Sequence, residues 1–185
     1  MKDHPQRTDA PHPSPNRKRP PSLRKSLIRV YLVFGLCLLA IFTITMIRPV
    51  YFGVVIPFNE FLAWSTAGML RLLGSEGVVA QGTGVSSPGF GFTVAEGCNG
   101  IYALAIVLAG IIAFPSRWKP KLAGLIMATV FVMALNYLRL LTLWYAGNSF
   151  AWLFDTIHLY VWEFVIIALG AGFWYFWYEK FVKAG

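Results

Sequence analysis

The chain has 185 residues, of which 57% are hydrophobic and only 13% charged, with a formal net charge of +8; a soluble domain of ordinary composition is excluded. The basic N-terminal stretch has no interleaved aromatic residues and no folded context, which argues against nucleic acid as a partner and leaves orientation in a lipid bilayer as the use of that charge.

Residues 1–27 are expected to be a disordered cytoplasmic tail. They are rich in proline and carry Lys2, Arg7, Arg17, Lys18, Arg19, Arg24 and Lys25, a composition that cannot bury a core. Residues 28–185 are expected to be one membrane-embedded domain. A hydrocarbon core of about 30 Å takes roughly 20 helical residues, and four segments approach that length: 28–47, 99–114 (the shortest), 122–141 and 159–178. The first reads as a permanent anchor, because its apolar stretch is long and no small-residue cleavage site precedes Arg48 and Pro49.

Residues 50–74 form a further apolar stretch, interrupted by Gly53, Pro57, Asn59, Glu60 and Arg71. They read as an interfacial or re-entrant helix. As a fifth crossing they would carry the basic loop Arg117-Trp118-Lys119-Pro120-Lys121 outside, against the positive-inside rule. Residues 78–81 and 90–94, separated by turn-forming residues, read as the two strands of a β-hairpin that delivers the chain to Glu96. The basic loop at 117–121 and the tail residues Lys180 and Lys183 place both termini on the cytoplasmic side, with 48–98 and 142–158 outside. The expected fold is therefore an all-α polytopic membrane protein. It has four transmembrane helices (five if 50–74 crosses), an interfacial helix and a small extracytoplasmic β-hairpin.

Of the two cysteines, Cys37 lies in mid-span and Cys98 at the outer end of the second span. They are too far apart to bridge, since a disulfide needs Cα atoms within about 7 Å. A thiol at a helix N-terminus is favoured as thiolate by the helix dipole and free amides, with Gly97 and Gly100 allowing close backbone approach. Arg139 stands 18 residues after Lys121, about 27 Å along a helix, and so reaches the outer boundary. His158 stands 22 residues before Lys180, about 33 Å, and Cys98 17 residues before Pro115, about 26 Å.

A thiol, a fixed cation and an imidazole thus share one depth. That set suits acyl transfer: Cys98 attacks, His158 moves the proton, and Arg139 steadies the oxyanion or a carboxylate. Three residues that merely stabilise helix packing in a non-enzymatic binding or assembly factor are the alternative. Asn136 shares a face with Arg139 and is placed to hydrogen-bond it or to orient a substrate carbonyl. Asp155 either orients His158 or caps the last helix, and Glu96 either bonds the first amides of the second span or pairs with Arg139. Glu163, five residues after His158, faces away from it in a regular helix and must find a partner within the span. With three histidines, two of them in the tail, a zinc ligand set is short; no metal is expected, and the chemistry needs no cofactor.

Taken together, Glu96-Gly97-Cys98-Asn99-Gly100-Ile101, then Asn136-Tyr137-Leu138-Arg139, then His158, each at an outer helix end, resemble the exosortase and archaeosortase superfamily. The small size and long segment before the cysteine look most like exosortase H. The resemblance implies a multi-pass cysteine transpeptidase or endopeptidase of the bacterial inner membrane. Its substrates would be membrane-anchored proteins ending in a sorting signal: a short motif, a transmembrane helix and a basic tail. It also implies that Cys98 is the nucleophile, through a thioester, with Arg139 and His158 completing the set and Glu96, Asn99, Asn136 and Asp155 in support.

Overall fold

A computed structural model describes residues 23–183 of the chain. The tail expected over 1–27 lies mostly outside the described residues; its last part is already helical, because α1 (Leu23–Met46) begins at Leu23. Hydrophobic side chains are exposed along α1, as befits a helix bathed in lipid. Its packing is against one neighbour, where Phe42 stacks on Tyr102 with ring centroids 4.7 Å apart.

Ile47 is extended ahead of Arg48 and Pro49 and breaks the helix. The chain then runs through α2 (Arg48–Val50), a π-helical turn (Tyr51–Val55) and α3 (Ile56–Leu72). One face of α3 is buried, through Leu62, Ala63, Ala67 and Leu70, against a small sheet.

That sheet has three strands where two were expected: β1 (Val79–Gln81), β2 (Gly84–Ser86) and β3 (Gly91–Thr93), antiparallel in the order β1-β2-β3. The two expected strands are its edges and do not pair with each other. Ala80 and Phe92 both register on Val85, which is wholly buried at the centre. The residues read as a turn hold the middle strand, because Gly82, at φ +55°, reverses the chain tightly enough to leave room for it.

α4 (Ile101–Ala113) has 13 residues and reaches about 20 Å. It cannot lengthen in either direction: Gly97 and Gly100 are left-handed before it, and Phe114, which precedes Pro115, is extended after it. Among the described residues three helical stretches are long and apolar enough to cross a membrane, Ser26–Met46, Trp118–Ser149 and Ala151–Lys183; α4 is the short exception among the four expected spans.

α5 (Trp118–Ser149) continues eight residues beyond the expected end at Leu141. The sheet gives this extension a surface: Trp144 packs on Phe90 and Phe92, at centroid distances of 5.8 and 6.3 Å, and Gly147 lies directly under the Phe90 ring. The loop expected up to residue 158 is accordingly mostly helix. A 3-10 turn (Ala151–Leu153), α6 (Phe154–Thr156), a π-helical turn (Ile157–Val161), α7 (Trp162–Trp177) and a last π-helical turn (Tyr178–Lys183) form one continuous stretch.

Two apolar clusters result. The one at the sheet end joins α3, the sheet, Cys98, Leu140, Leu143 and Trp162. At the other end Ile111, Ala128, Phe173 and Trp177 meet, with the Trp177 indole donating to the Pro120 carbonyl at 2.8 Å and resting against Gly124.

Candidate functional site

After β3 the chain buries Val94, exposes Ala95, Glu96 and Gly97, and turns inward at Cys98, whose N–H donates to the Ala95 carbonyl at 3.0 Å. Gly100 completes the turn at φ +78°. A side chain there is both strained and obstructed, since a Cβ would lie 2.9 Å from Cγ of Asn136. Asn99 takes the capping role at α4: its Oδ1 accepts from the Ile101 N–H at 3.0 Å, while its Nδ2 donates to Oδ1 of Asn59 at 3.0 Å.

Cys98 is 5% exposed, and both cysteines are free thiols. Burial pushes the Cys98 thiol up from its ordinary range, and the positive charge of Arg139 pulls it down by less. The expected gain from free amides is reduced because Asn99 already occupies the N–H of Ile101.

Arg139 is 4% exposed. Its Nη1 donates to the Gly97 carbonyl at 2.7 Å and its Nη2 to the His158 carbonyl at 3.3 Å, while its Nε is buried without a partner. One guanidinium therefore ties the cysteine loop to the helix bearing His158. A second tie supports it, with the Trp162 indole donating to the Thr142 hydroxyl at 2.9 Å and that hydroxyl donating to the Arg139 carbonyl at 2.9 Å.

Of the two roles open to Glu96, pairing with Arg139 is not formed among the described residues, where the ion pair is Lys183 with Glu179. Glu96 is exposed beside the turn, and its carboxylate near the Tyr51 hydroxyl pushes that phenol up. Asn136, 1% exposed, does not bond Arg139, the first of its two candidate roles, and both of its amide atoms lack partners among the described residues.

His158 lies two turns inside its helix, half-buried, its ring 5.7 Å from that of Phe154. No hydrogen bond among the described residues joins the imidazole to the thiol. Asp155 is exposed in the first turn of α6 and caps nothing, Leu153 being the N-cap. With Arg139, Asp155 and Glu163 are the charged groups whose field reaches His158. Glu163 was expected to face away. A π-helical turn at Ile157–Val161 intervenes between it and His158, and its carboxylate is exposed.

Sequence reasoning missed Asn59, Tyr51, Thr142 and Trp162. Asn59 interrupts an apolar stretch, a visible signal, but its partner is 40 residues away. A groove of about 740 Å³ between Ile126, Phe131, Leu169 and Phe176 is apolar and lies along the helices away from the thiol.

No curated protein and no solved structure is significantly similar to this chain. One family model matches it over residues 25–174 of the 185, from the start of α1 into α7 and through Cys98, Arg139 and His158, and its description is transmembrane exosortase. The protein is an integral membrane member of the transmembrane exosortase family, of the EpsH type.

Proposed function

We propose that the protein is a cysteine transpeptidase or endopeptidase that cleaves C-terminal sorting signals at the extracytoplasmic face of the bacterial inner membrane. Family membership supports a membrane-embedded sorting transpeptidase. The observation that carries the finer reading is the guanidinium of Arg139, which holds the cysteine loop and the His158 helix through one carbonyl of each.

In this reading the Cys98 sulfur attacks the carbonyl carbon of the scissile peptide as the thiol proton passes to His158. The C–S bond forms, the C–N bond breaks, and the leaving amine takes the proton from His158. The unpartnered N–H of Arg139 and the unpartnered amide of Asn136 are donors available to the substrate oxygen. Water or an amine then displaces the thioester and restores the thiol. Substrates are membrane-anchored proteins whose signal is a short motif, a transmembrane helix and a basic tail. The basic loop at 117–121 and Lys180 and Lys183 lie on the cytoplasmic side with both termini, which puts the sheet and Cys98 outside.

The test is co-expression with a protein ending in such a signal, comparing substrate mass for the wild type and Cys98→Ala at matched membrane levels. A mass shift lost in the variant is expected. Equal shifts in both would remove Cys98 as nucleophile and leave the three residues a structural role.

A further inference from the structure

We infer that Asn59, on α3, is a positioning residue for the Cys98 thiol. The inference rests on the reading of Cys98 as nucleophile.

Asn59 is 2% exposed on a helix face otherwise made of Leu62, Ala63 and Thr66. A primary amide in such a place is costly unless it is hydrogen-bonded. Its partner is Asn99, the residue directly after the thiol. The direction of that bond follows from chemistry. The Ile101 N–H can only donate, so Asn99 must present its oxygen to it; the Asn99 nitrogen is then turned to α3, and Asn59 must present its own oxygen in return.

The result is a relay, from Asn59 through the Asn99 side chain to the first turn of α4, that spans the thiol-bearing turn. Without the Asn59 acceptor the buried Asn99 nitrogen has lost its partner. Turning away to find another gives up the Ile101 N–H, and the turn between Gly97 and Gly100 loses one of its fixed ends. A second bond from the same helix, Ser65 to the Tyr137 hydroxyl at 2.8 Å, reaches α5 two residues before Arg139. α3 thereby sets both the cysteine turn and the helix carrying the arginine, which gives residues 48–72 a part in the site beyond connecting α1 to the sheet.

The experiment compares Asn59→Leu, which keeps the size and removes the acceptor, with Asn59→Asp, which keeps the acceptor. Both are made in a Cys37→Ser background, in membranes, at matched protein levels. Two readouts are taken: kcat and KM for processing of a sorting-signal substrate, and the rate of Cys98 alkylation by iodoacetamide. Asn59→Leu is expected to lower kcat by about tenfold to a hundredfold with KM little changed, and to speed alkylation as the turn loosens around a buried thiol. Asn59→Asp is expected to recover most of the processing rate. Asn99→Ala should be no worse when combined with Asn59→Leu, because both cut one relay.

Parent-like alkylation and kcat in Asn59→Leu would overturn the inference. So would equal losses in the Leu and Asp variants, or multiplying losses in the double variant. Alkylation needs no substrate, so a failure of the sorting reading leaves this test standing.

Discussion

The two ends of the helical bundle solve the burial problem differently. At the end near the basic loop, Ile111, Ala128, Val132, Phe173 and Trp177 fill the core by area and shape. At the sheet end the core also holds Asn59, Thr66, Asn99, Asn136 and Arg139, which are the buried polar and charged side chains among the described residues. Polar burial costs stability unless paired, and here the pairing is incomplete: Asn136 and the Nε of Arg139 have no partners. A buried guanidinium held by two carbonyls and no carboxylate is not what stability alone selects. The other end has unpartnered atoms of its own, the Trp174 indole N–H and the Ser116 hydroxyl among the described residues, but the buried charge lies at the sheet end.

The contrast can be broken in order of expected effect. Arg139→Lys keeps the charge but loses the fork that reaches Gly97 and His158 together; kcat/KM for processing should fall by about a hundredfold or more, and full activity would show that the tie is dispensable. At the other end, Gly124→Ala sets a Cβ 2.7 Å from Cδ1 of Trp177. Overpacking of this kind costs about 1–3 kcal/mol, so thermal stability in detergent should drop while turnover per folded molecule stays unchanged.

Between these lies the thiol itself. Its pKa is raised, so at a given pH it holds less thiolate than a free cysteine, and its alkylation rate should keep climbing with pH beyond the ordinary thiol range near about 8.5. Arg139→Gln removes the one charge that lowers it and should move that profile to still higher pH; an unmoved profile would mean the arginine does not act on the sulfur. The smallest effect is expected for Trp162→Phe, which removes the indole bond to Thr142 and should cost about 1 kcal/mol, with activity largely kept.

Hydropathy makes most of this architecture legible, because a span of lipid leaves a long apolar run that needs no partner to be recognised. The sheet was harder. Its edge strands alternate visibly, but Gly84-Val85-Ser86 is a strand only because Ala80 and Phe92 flank Val85, and nothing local marks it as one. Counting helical rise set Cys98, Arg139 and His158 at one level, and a single guanidinium bonds beside or at all three positions. The same counting placed Glu163 on the condition of a regular helix, and a π-helical turn intervenes before it. The bond from Asn59 to Asn99 was out of reach altogether, because a pairing 40 residues apart is a product of the fold.

The brevity of α4 bears on the lipid as much as on the protein. Read as a span, at about 20 Å it falls roughly 10 Å short of the hydrocarbon thickness. Hydrophobic mismatch of that size is relieved by thinning the adjoining leaflets and drawing headgroups and water inward. The turn carrying Cys98 sits at the top of this helix, inside the dimple. Under the proposed function, a peptide bond only a residue or two from a membrane anchor would meet the thiol there, with water at hand, while the anchor stays in lipid.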